Sequence, residues 1–202
     1  MKPGGLRSSH AEHYERMVTY YRRQDPLVPD GAVVFLGDSF IQGMCVSAVH
    51  DKAVNFGIGG DTTVGLLCRL PAYRCLKRAR AVVVAIGYND LRERGNEQIL
   101  SGYQEILSEM PEGVPVLLCS VLPIDERCRR EKYNHRIVAL NRRAAGLCTP
   151  GNDRHFVDAG EPLRGPDGNL VCECHEPDGI HLNARGYDIW IGVLRTQLRQ
   201  AL

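Results

Sequence analysis

Short apolar runs rich in β-branched residues recur along the chain, and stretches with apolar residues at helical spacing lie between them. Residues 32–36, 53–56, 81–86, 114–121 and 155–157 read as strands. The clearest is 81–86, Ala-Val-Val-Val-Ala-Ile. Residues 9–24 read as a helix, with Tyr14, Met17, Val18 and Tyr21 at helical spacing and Pro26 and Pro29 closing it. A short helix follows Ser39. Another is expected from an N-cap at Asp61-Thr62-Thr63 toward Lys77. Further helices are expected over 96–110, 129–147 and 183–202, the last burying Ile189, Trp190, Val193, Leu194 and Leu198. Strands that are apolar throughout and separated by helices imply a parallel sheet covered on both faces. The expected fold is one doubly wound α/β domain spanning residues 1–202.

Composition changes this picture little. In 202 residues, 44% are hydrophobic and 24% charged, enough for a sizeable core. The net charge of +1 calls for neither nucleic acid nor an acidic membrane surface as partner. No apolar run approaches the ~18 residues that suggest a membrane span. The start of the chain is polar and lacks the apolar core of a secretory signal, so a cytoplasmic location is expected. The pattern leaves room for a homo-oligomer. Eight cysteines in a chain of this size do not by themselves make a disulfide framework, and Cys68 and Cys119 read as small buried hydrophobes.

Candidate chemistry gathers where strands end. In a doubly wound sheet, ligands bind outside the carboxyl ends of the strands. Ser39 follows the first strand, Gly57-Ile58-Gly59-Gly60-Asp61 the second and Gly87-Tyr88-Asn89-Asp90 the third. A Gly- and Pro-rich loop over 159–177, then Asp178 and His181, follow the fifth. A serine hydroxyl needs a base to become a nucleophile, and His181 is the candidate. Asp178, three residues earlier, can fix the imidazole tautomer. Asp158 is a rival for that role, and the local spacing favours Asp178. An oxyanion needs preorganised donors, and the candidates are the backbone N–H groups of Ser39 and Gly60 and the side-chain amide of Asn89. Ser39 is also a favoured helix N-cap residue. Asp38, Asp61 and Asp90 read as loop and cap carboxylates.

These residues resemble the GDSL, or SGNH, hydrolase family. Gly37-Asp38-Ser39-Phe40 matches its first block with Phe in place of Leu. Gly60 matches the second, Gly87-x-Asn89-Asp90 the third and Asp178-x-x-His181 the last, all in family order. The segment 55–63 is particularly similar to the catalytic subunits of platelet-activating-factor acetylhydrolase. The resemblance implies a flavodoxin-like α/β/α sandwich and ester hydrolysis by a Ser-His-Asp triad without metal or cofactor. The partner it implies is a small-molecule ester, with acetyl favoured as the acyl group. Phe40, Ile180 and the 159–177 loop are expected to shape the substrate pocket.

Two other motifs bear on chemistry. Cys172-Glu173-Cys174-His175 has no obvious second cysteine pair, and zinc sites usually need one, so no metal is expected there. The basic run 127–132 stands at the expected start of a helix, where positive charge opposes the helix dipole.

Overall fold

A computed structural model describes residues 5–149 and 151–202. The polar stretch before Gly5, part of the basis for the reading on a leader, lies outside these residues. The five expected strands form one parallel sheet: β1 (Val33–Gly37), β2 (Ala53–Gly57), β3 (Ala81–Ala85), β4 (Val116–Cys119) and β5 (Arg154–Val157). Their order is β2-β1-β3-β4-β5, the flavodoxin-like doubly wound arrangement. Every residue of β1, β3 and β4 is buried, as an all-apolar strand covered on both faces should be. The chain leaves β1 toward β2 on one side and returns to β3 on the other. The switch point therefore lies between the ends of β1 and β3.

The helices are α1 (Gly5–Gln24), α2 (Ser39–Gln42), α3 (Thr63–Arg69), α4 (Asn96–Ser108), α5 (Asn134–Ala145) and α6 (Ala184–Ala201). On α6, Gly186, Trp190, Leu194 and Leu198 are buried, a stripe at helical spacing. No helix among the described residues is long and apolar enough to cross a membrane.

Three sequence expectations need correction. The helix expected to run toward Lys77 ends at Arg69, because Pro71 cannot continue it, and 3-10 turns carry the chain onward. Its N-cap is Thr62, whose hydroxyl accepts from the Gly65 N–H. The helix expected from residue 129 begins at Asn134, where the Glu126 carboxylate accepts the Asn134 N–H at 2.7 Å. Arg129 and Arg130 thus stay out of a helix N-terminus, where their charge would be unfavourable. Cys119 is buried as expected, but Cys68 is exposed on the outer side of α3.

Candidate active site

The nucleophile candidate sits at the first turn of α2. Asp38, not Ser39, is the N-cap: its carboxylate accepts the Phe40 N–H at 3.0 Å. That leaves the Ser39 hydroxyl free to face outward, and its Oγ lies 2.9 Å from His181 Nε2. On the other side of the ring, His181 Nδ1 lies 2.6 Å from Asp178 Oδ2. The carboxylate can only accept, so Nδ1 carries the proton and Nε2 is the acceptor facing Ser39. Residues 142 positions apart in sequence thus form one hydrogen-bonded chain.

Local geometry aims the pair. Asp178 Oδ1 accepts from the backbone N–H groups of Ile180 (2.9 Å) and His181 (3.0 Å), an Asx turn that fixes the carboxylate before the imidazole meets it. Burial raises the Asp178 pKa. The hydrogen bonds from the His181 ring and the two amides outweigh it, and the carboxyl ends below its ordinary value. Asp158 plays no part here. It accepts from Gly160 and Glu161 N–H in the turn after β5.

Ser39, Gly60, Asn89 and His181 line one open cleft. Gly60 has φ +78°, in a turn closed by Asp61 N–H to Ile58 O (3.1 Å), a conformation that favours glycine. The Asn89 amide donates to Asp61 O at 2.9 Å, which orients its second N–H group. Asn89 is itself held by its neighbour Asp90, whose buried carboxylate accepts from the Thr63 N–H (3.0 Å) and hydroxyl (2.6 Å) at the start of α3.

Beneath the cleft lies a feature that the sequence pattern does not announce. Arg69 is fully buried and donates to Asp61 Oδ2 (2.9 Å), Phe56 O (2.8 Å), Gly37 O (3.1 Å) and the Tyr73 hydroxyl (3.1 Å). It ties together the ends of β1 and β2, from which the Ser39 and Gly60 segments depart. Burial pulls the Arg69 pKa down, and the neighbouring Asp61 and Tyr73 raise it past its ordinary value, so the guanidinium stays charged. The only sequence signal is an arginine on the inward side of α3, three residues after the buried Leu66.

Phe40 and Ile180 are both buried and do not line the cleft itself. The Phe40 ring lies against His181, with centroids 5.6 Å apart, and meets Tyr88 and Trp190 edge-on. Behind it is a small cavity, lined also by Asp38, Tyr88 and Trp190, with room for about one water molecule. His10, His13 and Arg92 complete the cleft wall, and no motif in the sequence singles them out.

The sequence model of the GDSL-like Lipase/Acylhydrolase family matches residues 35–189, from β1 into α6. This chain belongs to that family. Its sequence is 34% identical over 171 residues to the platelet-activating factor acetylhydrolase IB subunit alpha1 of Bos taurus, covering 77% of this chain and 69% of that one. A solved structure from Streptococcus pneumonia superposes with a TM-score of 0.87 at 24% identity, covering 96% of both chains. A GDSL-like lipase from Bacteroides thetaiotaomicron does so with 0.76 at 22% identity, covering 92% of this chain and 98% of that one. The family is one of acylhydrolases, so the protein is an enzyme of the esterase type.

Proposed function

We propose that this protein is a serine esterase that hydrolyses carboxylic esters with short acyl groups, acetyl first among them. Ser39 attacks the ester carbonyl while His181 Nε2 takes its proton. Asp178 holds the imidazole and balances the imidazolium that forms. The Ser39 and Gly60 N–H groups and the Asn89 side chain stabilise the oxyanion. His181 then protonates the departing alcohol and leaves an acyl-serine. Water, activated by the same imidazole, releases the acid.

The observation that carries the proposal is the chain Ser39–His181–Asp178, at 2.9 and 2.6 Å, opening into the cleft that Gly60 and Asn89 also line. Two points support a short acyl group. The cavity behind Phe40 holds only about one water molecule, and the bovine relative is an acetylhydrolase by name. On this reading residues 1–202 act as one catalytic domain, and the substrate is a small-molecule ester.

The test is release of p-nitrophenol from p-nitrophenyl acetate. Wild type should turn over, and Ser39→Ala should lose roughly 10⁶-fold in kcat. Equal slow rates for both proteins would end the esterase reading. Product analysis with an added alcohol would show whether acyl transfer competes with hydrolysis.

A further inference from the structure

The Cys172-Glu173-Cys174-His175 motif looks incomplete in sequence because its partner half lies elsewhere in the chain. Cys174 turns into the core and is buried. Cys172 and His175 turn instead toward Asp125, in the segment after β4. The Asp125 carboxylate, the Cys172 thiol and a His175 ring nitrogen all lie within 4.8 Å of one another. Asp125 Oδ2 is 3.2 Å from His175 Nε2, 3.8 Å from Cys172 Sγ and 3.6 Å from Cys128 Sγ. Cys172-x-x-His175 supplies two of the three donors as one local pair, and Asp125 supplies the third. Two residues between ligands is the spacing that lets one turn present two donors to one ion.

We infer that Asp125, Cys172 and His175 form a zinc-class metal site with three protein ligands. It lies apart from the ester-cleaving residues and clamps the loop that carries Asp178 and His181. Zinc bond lengths place tetrahedral ligand atoms about 3.3–3.8 Å apart, and the distances from Asp125 Oδ2 to His175 Nε2 and Cys172 Sγ fall just below and at the upper end of that range. A thiolate with an imidazole suits zinc over magnesium or calcium. The Asp125 carboxylate is buried.

The cluster already attracts a cation. Arg127 lies on Asp125 through Nε (2.8 Å) and Nη2 (3.0 Å), and its Nη2 is 2.9 Å from Cys172 Sγ. Its side chain is 53% exposed and also reaches Asp167 at 3.4 Å. An entering ion therefore displaces an exposed competitor and not a buried one. Cys172 binds the ion as a thiolate, so uptake of one metal releases the thiol proton.

The clamp has a defined target. The Asp125 N–H donates to Gly179 O at 2.8 Å, and the Glu176 N–H donates to His181 O at 2.7 Å. Gly179, at φ +72°, packs so closely that a Cβ there would lie 2.8 Å from Cys128 Cβ and 3.0 Å from Asp125 O. Tying 125–128 to 172–175 therefore ties down the turn between Asp178 and His181.

The test is titration of the reduced full chain with Co²⁺, followed by the thiolate-to-cobalt charge-transfer absorption, and then displacement by Zn²⁺. One equivalent should saturate the signal, and hydrogen exchange of the amides at 176–182 should slow with zinc bound. Cys172→Ser should lose the charge-transfer band or bind zinc at least about tenfold more weakly. Cys68→Ser, at an exposed thiol on α3, should match wild type. Arg127→Ala should bind more tightly, since its competitor is gone. Circular dichroism melts establish that each variant is folded. The inference is overturned by wild type without saturable binding, by Cys172→Ser binding like wild type, or by Arg127→Ala binding more weakly.

Discussion

The two halves of the candidate site are built differently. The Ser39 half rests on strand ends and on buried polar groups: Asp38, Asp61, Asp90 and Arg69, each 3% exposed or less. The Asp178–His181 half rests on a long irregular segment, with side chains 39% and 43% exposed. The carboxylates differ in the same sense. Burial pushes the Asp38 carboxyl up to about 7, reinforced by nearby Asp61 and Asp90. Asp178 stays ionised in partial contact with water. Beneath the Ser39 half the buried acids organise backbone and side chains, and on the other half the partly exposed Asp178 is the acid that meets an imidazole. Rigidity and availability of charge are divided between the two halves.

The sharpest way to break this division, after loss of the nucleophile itself, is Asp178→Asn. The amide keeps the size of the side chain but cannot hold the same imidazole tautomer, so kcat should fall by about 10⁴ with the fold intact. An unchanged kcat would show that the exposed half needs no charge. On the other half, Asn89→Ala removes a preorganised donor and should cost about 10²–10³ in kcat with KM little changed. A change confined to KM would make Asn89 a ground-state binding group.

The two halves are also unequally legible in sequence. Ser39, Gly60 and Asn89 each follow an apolar run, so strand pattern and the strand-end rule suffice to place them on one edge. Asp178 and His181 are marked by local spacing alone, and their meeting with Ser39 needs a loop whose path no periodicity describes. Arg69 is not legible because an arginine on a helix is ordinarily a surface residue, and only its four buried partners explain it. The Asp125–His175 cluster escapes a linear reading because its halves lie 47 to 50 positions apart, on segments without regular structure. The late start of α5 escapes it because apolar spacing marks a helix face and says little about where charge forbids its first turn.

The pH dependence of stability should also separate the halves, with opposite signs. The folded pKa of Asp38 is above its unfolded value of 3.8, so between about 4 and 7 the folded state binds more protons than the unfolded state. Stability therefore falls as pH rises through that window and levels off above it. Asp178 behaves in reverse. Its contribution is present above the unfolded pKa and is lost as pH falls through the lower folded one. Asp38→Asn keeps an oxygen for the Phe40 N–H and removes the titration. Urea unfolding at pH 5 and pH 8 should show the variant gaining on wild type at the higher pH, by on the order of a few kcal/mol. A difference that does not move with pH would mean that Asp38 titrates like an exposed acid.

The smallest expected effect falls at the seam between the halves. Phe40 belongs to the Ser39 segment by sequence, yet its ring rests on His181 of the other half. It also walls off the small cavity toward Tyr88 and Trp190. Phe40→Ala should join that cavity to the cleft, and each added methylene of an acyl chain could then find apolar surface instead of an aromatic wall. The ratio of kcat/KM for p-nitrophenyl butyrate over acetate should rise about tenfold, within the range that one or two methylenes command in an apolar pocket. Acetate turnover should fall modestly, because His181 loses a packing partner. If the ratio stays put while acetate turnover falls, Phe40 serves only to steady His181, and the limit on acyl length lies elsewhere in the cleft. If the ratio rises while acetate turnover holds, the residue is purely a wall, and the Asx turn at Asp178 alone is enough to aim the imidazole.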